Sequence, residues 1–195
     1  MLPPTDSNAS QITLVAPEPT TTLIFSKPSV INTTLFSNGH PLYSIATLDA
    51  AAERTTITDA ATEEVLVTIQ RRAVLADTVT FSRSSEPNSN SVKLKDWLKE
   101  RTLETGYSTW TVETPIGNFV WRTDKSLRLA LCPEGNLDHP IAWAQLKSET
   151  DPFALILTRG TEPFREEIVA SFIILEQRMR LKEKLFYGGS FKGWR

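Results

Sequence analysis

The sequence predicts a mainly β fold: a closed antiparallel β-barrel of about 12 strands around a buried hydrophobic C-terminal α-helix. Three observations carry that expectation. Short runs rich in Val, Ile, Leu, Phe, Trp and Thr recur between turn residues at intervals of about 8 to 12, the spacing of a sandwich or barrel. Only one long segment has strong helical character, and it comes last. The middle of that segment, Ile168–Leu175, is apolar on every side.

Residues 1–20 carry Pro3, Pro4, Pro17 and Pro19 among many Thr and Ser, the composition of a disordered arm. The folded domain is expected over 21–187, with a short tail at 188–195. Its first strands are Leu23–Ser26, Val30–Phe36 and Leu42–Thr47; Asn38-Gly39, between the last two, is a strong hairpin signal. Thr55–Thr58 and Val65–Arg72 follow. In the latter, Val65, Val67 and Ile69 share one face by two-residue alternation. Thr78–Ser82 precedes a polar loop, RSSEPNSNS at 83–91, the best internal candidate for mobility.

Ser91–Leu98 reads as a strand ending in a helical turn. Ser108–Glu113 and Asn118–Arg122 flank the Pro-and-Gly turn TPIG as a hairpin. Ser126–Cys132 sets Leu127, Leu129 and Leu131 against Arg128 and Ala130. Ile141–Lys147 and Phe153–Arg159 complete the set. No internal repeat is present, which argues against a propeller or solenoid.

The helix is expected at about 162–186. Thr161 can cap it, Pro163 fits its first turn, and Glu166 and Glu167 suit the positive end of its dipole. Gly188-Gly189 stops it. Ile168, Val169, Ala170, Phe172, Ile173, Ile174 and Leu175 leave no polar face, so this part must be buried all round. A bilayer is excluded as its surroundings, because eight residues span about 12 Å of a core about 30 Å thick. A rolled antiparallel sheet can enclose it. The alternative is a helix lying on one sheet, its spare apolar side used for a dimer contact.

The "PLY" of Pro41-Leu42-Tyr43, the "KLKDWL" of Lys93–Leu98, the "TPIGNFVWR" of 114–122 and the "EEIVASFIILEQRMR" of 166–180 together resemble a fungal family of unknown function assigned to the tubby-like fold. Tubby C-terminal domains, phospholipid scramblases and LURP-one-related proteins share that fold. The resemblance covers about residues 20–186. It implies a barrel around a C-terminal helix and brings no catalytic signature. It also implies that basic side chains on the outer barrel wall bind phosphoinositide headgroups, as in tubby domains.

Composition narrows the function classes. Net charge is −2 and the pI about 5.8, so no global basic field draws the chain to nucleic acid. Cys132 is the only cysteine, which leaves no internal disulfide and no thiolate cage for zinc. No nucleophile elbow, Gly-rich phosphate loop or metalloprotease helix occurs, and neither a catalytic residue, a metal nor a cofactor is assigned. The two histidines, His40 and His139, both fall in turns. Trp97, Trp110, Trp121 and Trp143 fall on predicted strands and are read as core, with an exposed carbohydrate-binding row as the alternative. The N-terminus lacks the pattern of a secretory signal and no window is long enough to span a membrane, so the expectation is a cytoplasmic protein.

The basic clusters are the remaining lead. Arg71-Arg72 ends one strand. Lys93 and Lys95 lie two apart and so share a strand face. If those strands are neighbours, four cations gather on the wall, a site for anionic lipid headgroups. A protein-interaction module built on the arms and the 83–91 loop is the alternative.

Overall fold

The structure, a computed structural model, describes residues 20–48, 53–72, 74–82, 90–103, 108–123 and 127–186. The N-terminal arm, most of the 83–91 loop, the Gly188-Gly189 stop and the C-terminal tail lie outside them. One antiparallel sheet contains thirteen strands. In the first half these are β1 (Thr20–Phe25), β2 (Thr33–Ser37), β3 (His40–Thr47), β4 (Arg54–Asp59), β5 (Val65–Gln70), β6 (Thr78–Phe81) and β7 (Asn90–Lys93). A helical turn, α1 (Leu94–Trp97), leads to β8 (Leu98–Thr102), β9 (Ser108–Thr114), β10 (Gly117–Arg122), β11 (Ala130–Pro133), β12 (Ala142–Gln145) and β13 (Ala154–Thr158). A 3-10 turn at Glu162–Phe164 enters the long helix α2 (Arg165–Phe186).

Alternation sets the inner face. Leu23 pairs with Leu155, and Leu155 with Ala144; Trp110 pairs with Trp121, Trp121 with Leu131, and Leu131 with Ala142. All of these are buried. Partners directly opposite on adjacent strands point to one face, so each row turns as a unit toward the core. Asn38 and Gly39 both have positive φ, the conformation a tight primed hairpin turn needs, and they join β2 to β3 as the dipeptide predicts.

Several elements differ from the sequence pattern for local reasons. Val65 is exposed rather than sharing the inner face with Val67 and Ile69. The register shifts between Ile57 and Thr58, a bulge that turns Val65 outward. Val30 is buried in the connection before β2, so the strand begins three residues later than expected. Thr161 makes no side-chain cap. Its hydroxyl donates back to the Thr158 carbonyl at 2.8 Å, while Glu162 accepts from Gly160 N–H.

The order of strands is β7-β6-β5-β4-β3-β2-β1-β13-β12-β11-β10-β9-β8. The hydrogen-bonded ladder is therefore not closed into a barrel: β7 and β8 are its two edges. Yet these edges are consecutive in sequence. Laid flat, twelve strand spacings of ~4.8 Å would hold them ~58 Å apart. The four residues of α1 rise only about 6 Å, so the sheet curls until its ends meet there. Trp97 bridges them. Its ring meets Phe81 of β6 edge-on at 5.2 Å, and its Nε1–H donates to the Glu113 carbonyl of β9 at 2.9 Å.

Within this curl sits α2. Every residue from Ile168 to Leu175 is 0 % exposed. Phe172 meets Phe25 of β1, Trp121 of β10 and Phe153 before β13. The Trp121 indole donates to Ser171 Oγ at 2.8 Å, and that hydroxyl donates to the carbonyls one turn back. Tyr43 of β3 lies near the start of the helix; burial pushes its phenol up to about 12, with Arg165 opposing. Side chains from both halves of the sheet thus converge on one rod. Each fully buried Ile, Leu or Phe contributes about 1.5–3 kcal/mol, which is why the pattern at 168–175 needs sheet on all sides.

Candidate functional site

Interior chemistry is sparse. His40 and His139 are exposed, the latter sharing a 2.8 Å hydrogen bond with Asn136. Cys132 is buried, and burial pushes its thiol up, with Arg122 opposing. That leaves it protonated at neutral pH. Among the described residues no three His, Cys, Asp or Glu side chains group to hold a metal. No helix among them is long and apolar enough to cross a membrane. Of the four tryptophans described, Trp97 lies in α1, Trp110 and Trp121 face inward, and Trp143 alone sits half-buried on the opposite face, so they form no exposed row.

The cations gather at one end of the sheet, with two corrections. Register places Gln70 of β5 opposite Thr78 of β6, and Thr78 opposite Lys93 of β7. This row points outward, since the neighbouring row Ile69–Val79 is buried. Two strand spacings put Gln70 and Lys93 about 10 Å apart along it. Arg72 joins them, its Nη2 donating to Gln70 Oε1 at 3.0 Å and its backbone N–H to Asp77. Lys95 is exposed close by. It lies in α1 and not on a strand, so the two-residue rule does not put it on the face of Lys93.

Arg71 is the second correction. One residue beyond Gln70, it turns to the inner side and donates to Gln177 Oε1 of α2 at 2.7 Å. Burial, then the charge of Arg178, lower its pKa, Asp77 opposing. Gln177 Nε2 is itself buried without an acceptor. Arg71 and Arg178 therefore form an inner cationic pair where α2 leaves the sheet, while Arg72 and Lys93 form an outer one.

Three features escaped the sequence pattern. Arg54 of β4 faces Gln70 and is exposed, adding another cation to this end. Between Arg72 and Asp77, Val74 is 94 % and Leu75 64 % exposed. Two aliphatic residues where a turn would ordinarily carry polar ones were the available signal. The third is an ion network on α2. Glu176, 0 % exposed, accepts from Arg128 Nε at 2.8 Å and from Arg180 Nε at 2.6 Å, and Arg128 also makes a two-pronged bond to Glu183. Burial alone would lower the Arg128 pKa, but the hydrogen bonds it donates to Glu183 and Glu176, and their charges, outweigh it and raise it. Arg180 is fixed further by the Pro28 carbonyl and the face of Phe153. This network holds the helix; its carboxylates are taken up by arginines and offer no free acid or base.

Nothing among the curated proteins and nothing among the solved structures matches the chain. A model described as a family of unknown function, DUF6593, matches residues 28–181, a span that runs from before β2 into the second half of α2, and the chain belongs to that family.

Proposed function

We propose that the chain is a non-catalytic, tubby-like module that binds anionic lipid headgroups, phosphoinositides above all, at the cationic end of its sheet. The observation that carries this reading is the outward row Gln70–Thr78–Lys93, which brings Arg72 and Lys93 together beside Lys95 and Arg54. The interior is filled by Ile168–Leu175, so the outer surface is what remains for recognition. In this reading the curl is a functional barrel, its seam held by Trp97 in place of a ladder. A chain of net charge −2 gains no long-range attraction to an anionic surface. Binding then rests on a local patch, and added salt weakens it steeply.

The test is co-sedimentation with phosphatidylcholine vesicles that contain or lack phosphatidylinositol 4,5-bisphosphate, at low and high salt. Binding is expected only to the phosphoinositide vesicles and at low salt. Each basic side chain near such a surface is worth about 1 kcal/mol, so Lys93→Ala with Lys95→Ala is expected to weaken binding about 30-fold. Equal binding to both vesicle types, or none at low salt, removes the reading.

A further inference from the structure

We infer that the tip of the β5–β6 hairpin enters the apolar layer of an anionic membrane, with Val74 and Leu75 as its wedge and Arg72, Lys93 and Lys95 as its charged collar. The inference rests on the headgroup reading and adds the mode of attachment. Val74 is 94 % and Leu75 64 % exposed, at a tip that projects past the ends of both strands. Leu181, 56 % exposed, lies one helical turn beyond Gln177, whose amide Arg71 holds at the base of the same hairpin. It supplies a third apolar point at this end.

Charge and size select the occupant. The carboxylates here, Glu53, Asp77 and Asp96, are outnumbered by the exposed Arg54, Arg72, Lys93 and Lys95. Asp77 also accepts the Arg72 backbone N–H. The surface offered to a partner is thus apolar at the point and cationic around it. A stable protein partner needs an interface of roughly 1,000 Å² or more, with aromatic anchors at its centre. Two adjacent aliphatic side chains on a narrow tip do not supply that. A bilayer asks for less: a few inserted apolar side chains, with basic residues drawn to anionic lipid at headgroup depth.

The decisive variant is Val74→Ser with Leu75→Ser, which removes apolar surface without adding charge. Both side chains are exposed, so thermal unfolding is expected to be unchanged. Affinity for phosphoinositide vesicles is expected to fall about tenfold or more, while binding of soluble inositol 1,4,5-trisphosphate stays as in the parent. In a second measurement, Val74→Cys in a Cys132→Ser background carries an environment-sensitive fluorophore. On vesicle binding, lipids spin-labelled on the acyl chain are expected to quench it and aqueous iodide is not. Undiminished vesicle binding by the double variant, with the fluorophore still open to iodide, overturns insertion and leaves headgroup binding standing. Loss of both vesicle and inositol phosphate binding by the parent chain overturns both. Vesicle binding absent while the double variant loses a protein that co-purifies with the parent assigns the tip to a protein contact and also overturns the inference.

Discussion

Ser171 is the one hydroxyl within the apolar run of α2, and Trp121 accounts for it. An indole N–H buried without an acceptor costs about 1–3 kcal/mol; Ser171 Oγ accepts it at 2.8 Å and satisfies its own proton on the carbonyls one turn back. Glu176 shows the same logic with charge. A carboxylate with no exposure is tolerable because two guanidiniums meet its two oxygens. Glu176→Ala leaves Arg128 and Arg180 without that partner and is expected to cost about 3–5 kcal/mol in urea unfolding. Glu183→Ala, whose carboxylate is nearly half exposed, is expected to cost at most about 1 kcal/mol; equal losses would show that burial does not set the difference. None of this was legible in the sequence. Arg128 looked like a strand-exterior residue because Leu127, Leu129 and Leu131 alternate with it, but residues 128 and 129 form a bend ahead of β11, where alternation does not fix direction. Arg71, by contrast, keeps the alternation just past the end of β5: it shares the inner face of Val67 and Ile69, where it meets Gln177.

Among the elements, α1 has an effect out of proportion to its length. Its four residues replace the last ladder of the sheet, and Trp97 spans the gap from Phe81 to Glu113. Trp97→Ala removes both contacts. It is expected to cost about 3–5 kcal/mol and to raise amide exchange in β7 and β8 more than in β1–β3. Uniform acceleration across all strands would instead mean that Trp97 is an ordinary core residue. The sequence made most elements legible, because period-two runs and turn dipeptides are local signals: the Asn38-Gly39 hairpin and the TPIG turn stand where the pattern puts them, and the helical turn expected at 96–98 is present but begins earlier, at Leu94. What it left out depends on tertiary placement. The single run Ser91–Leu98 divides between β7, α1 and β8, and the extra residue of β5, Leu66, that turns Val65 outward shows only in the register of β5 against β4.

For the molecule as a whole, the decisive signal was the helix in which no face is polar. It required a surrounding sheet, and thirteen strands curled until their edges share one helical turn supply it. The cationic site was less legible. Arg72 and Lys93 could be named from the sequence, but the row joining them runs through Thr78, a partner known only from the register. Val74 and Leu75 lie in a hairpin tip that period-two reading passes over, and their one signal was a pair of aliphatic residues in a turn. The insertion reading draws on this geometry, because Leu181 joins the hairpin end only through the place of α2 inside the sheet. Solvent paramagnetic relaxation of side-chain methyl groups by a soluble gadolinium chelate tests that directly. The methyls of Ile168, Val169, Ile173, Ile174 and Leu175, which point to different sides of the helix, are expected to show no enhancement, while those of Leu181 relax strongly. Enhancement along any one side of 168–175 comparable with that at Leu181 would mean an open flank, and the enclosed-helix fold would be wrong.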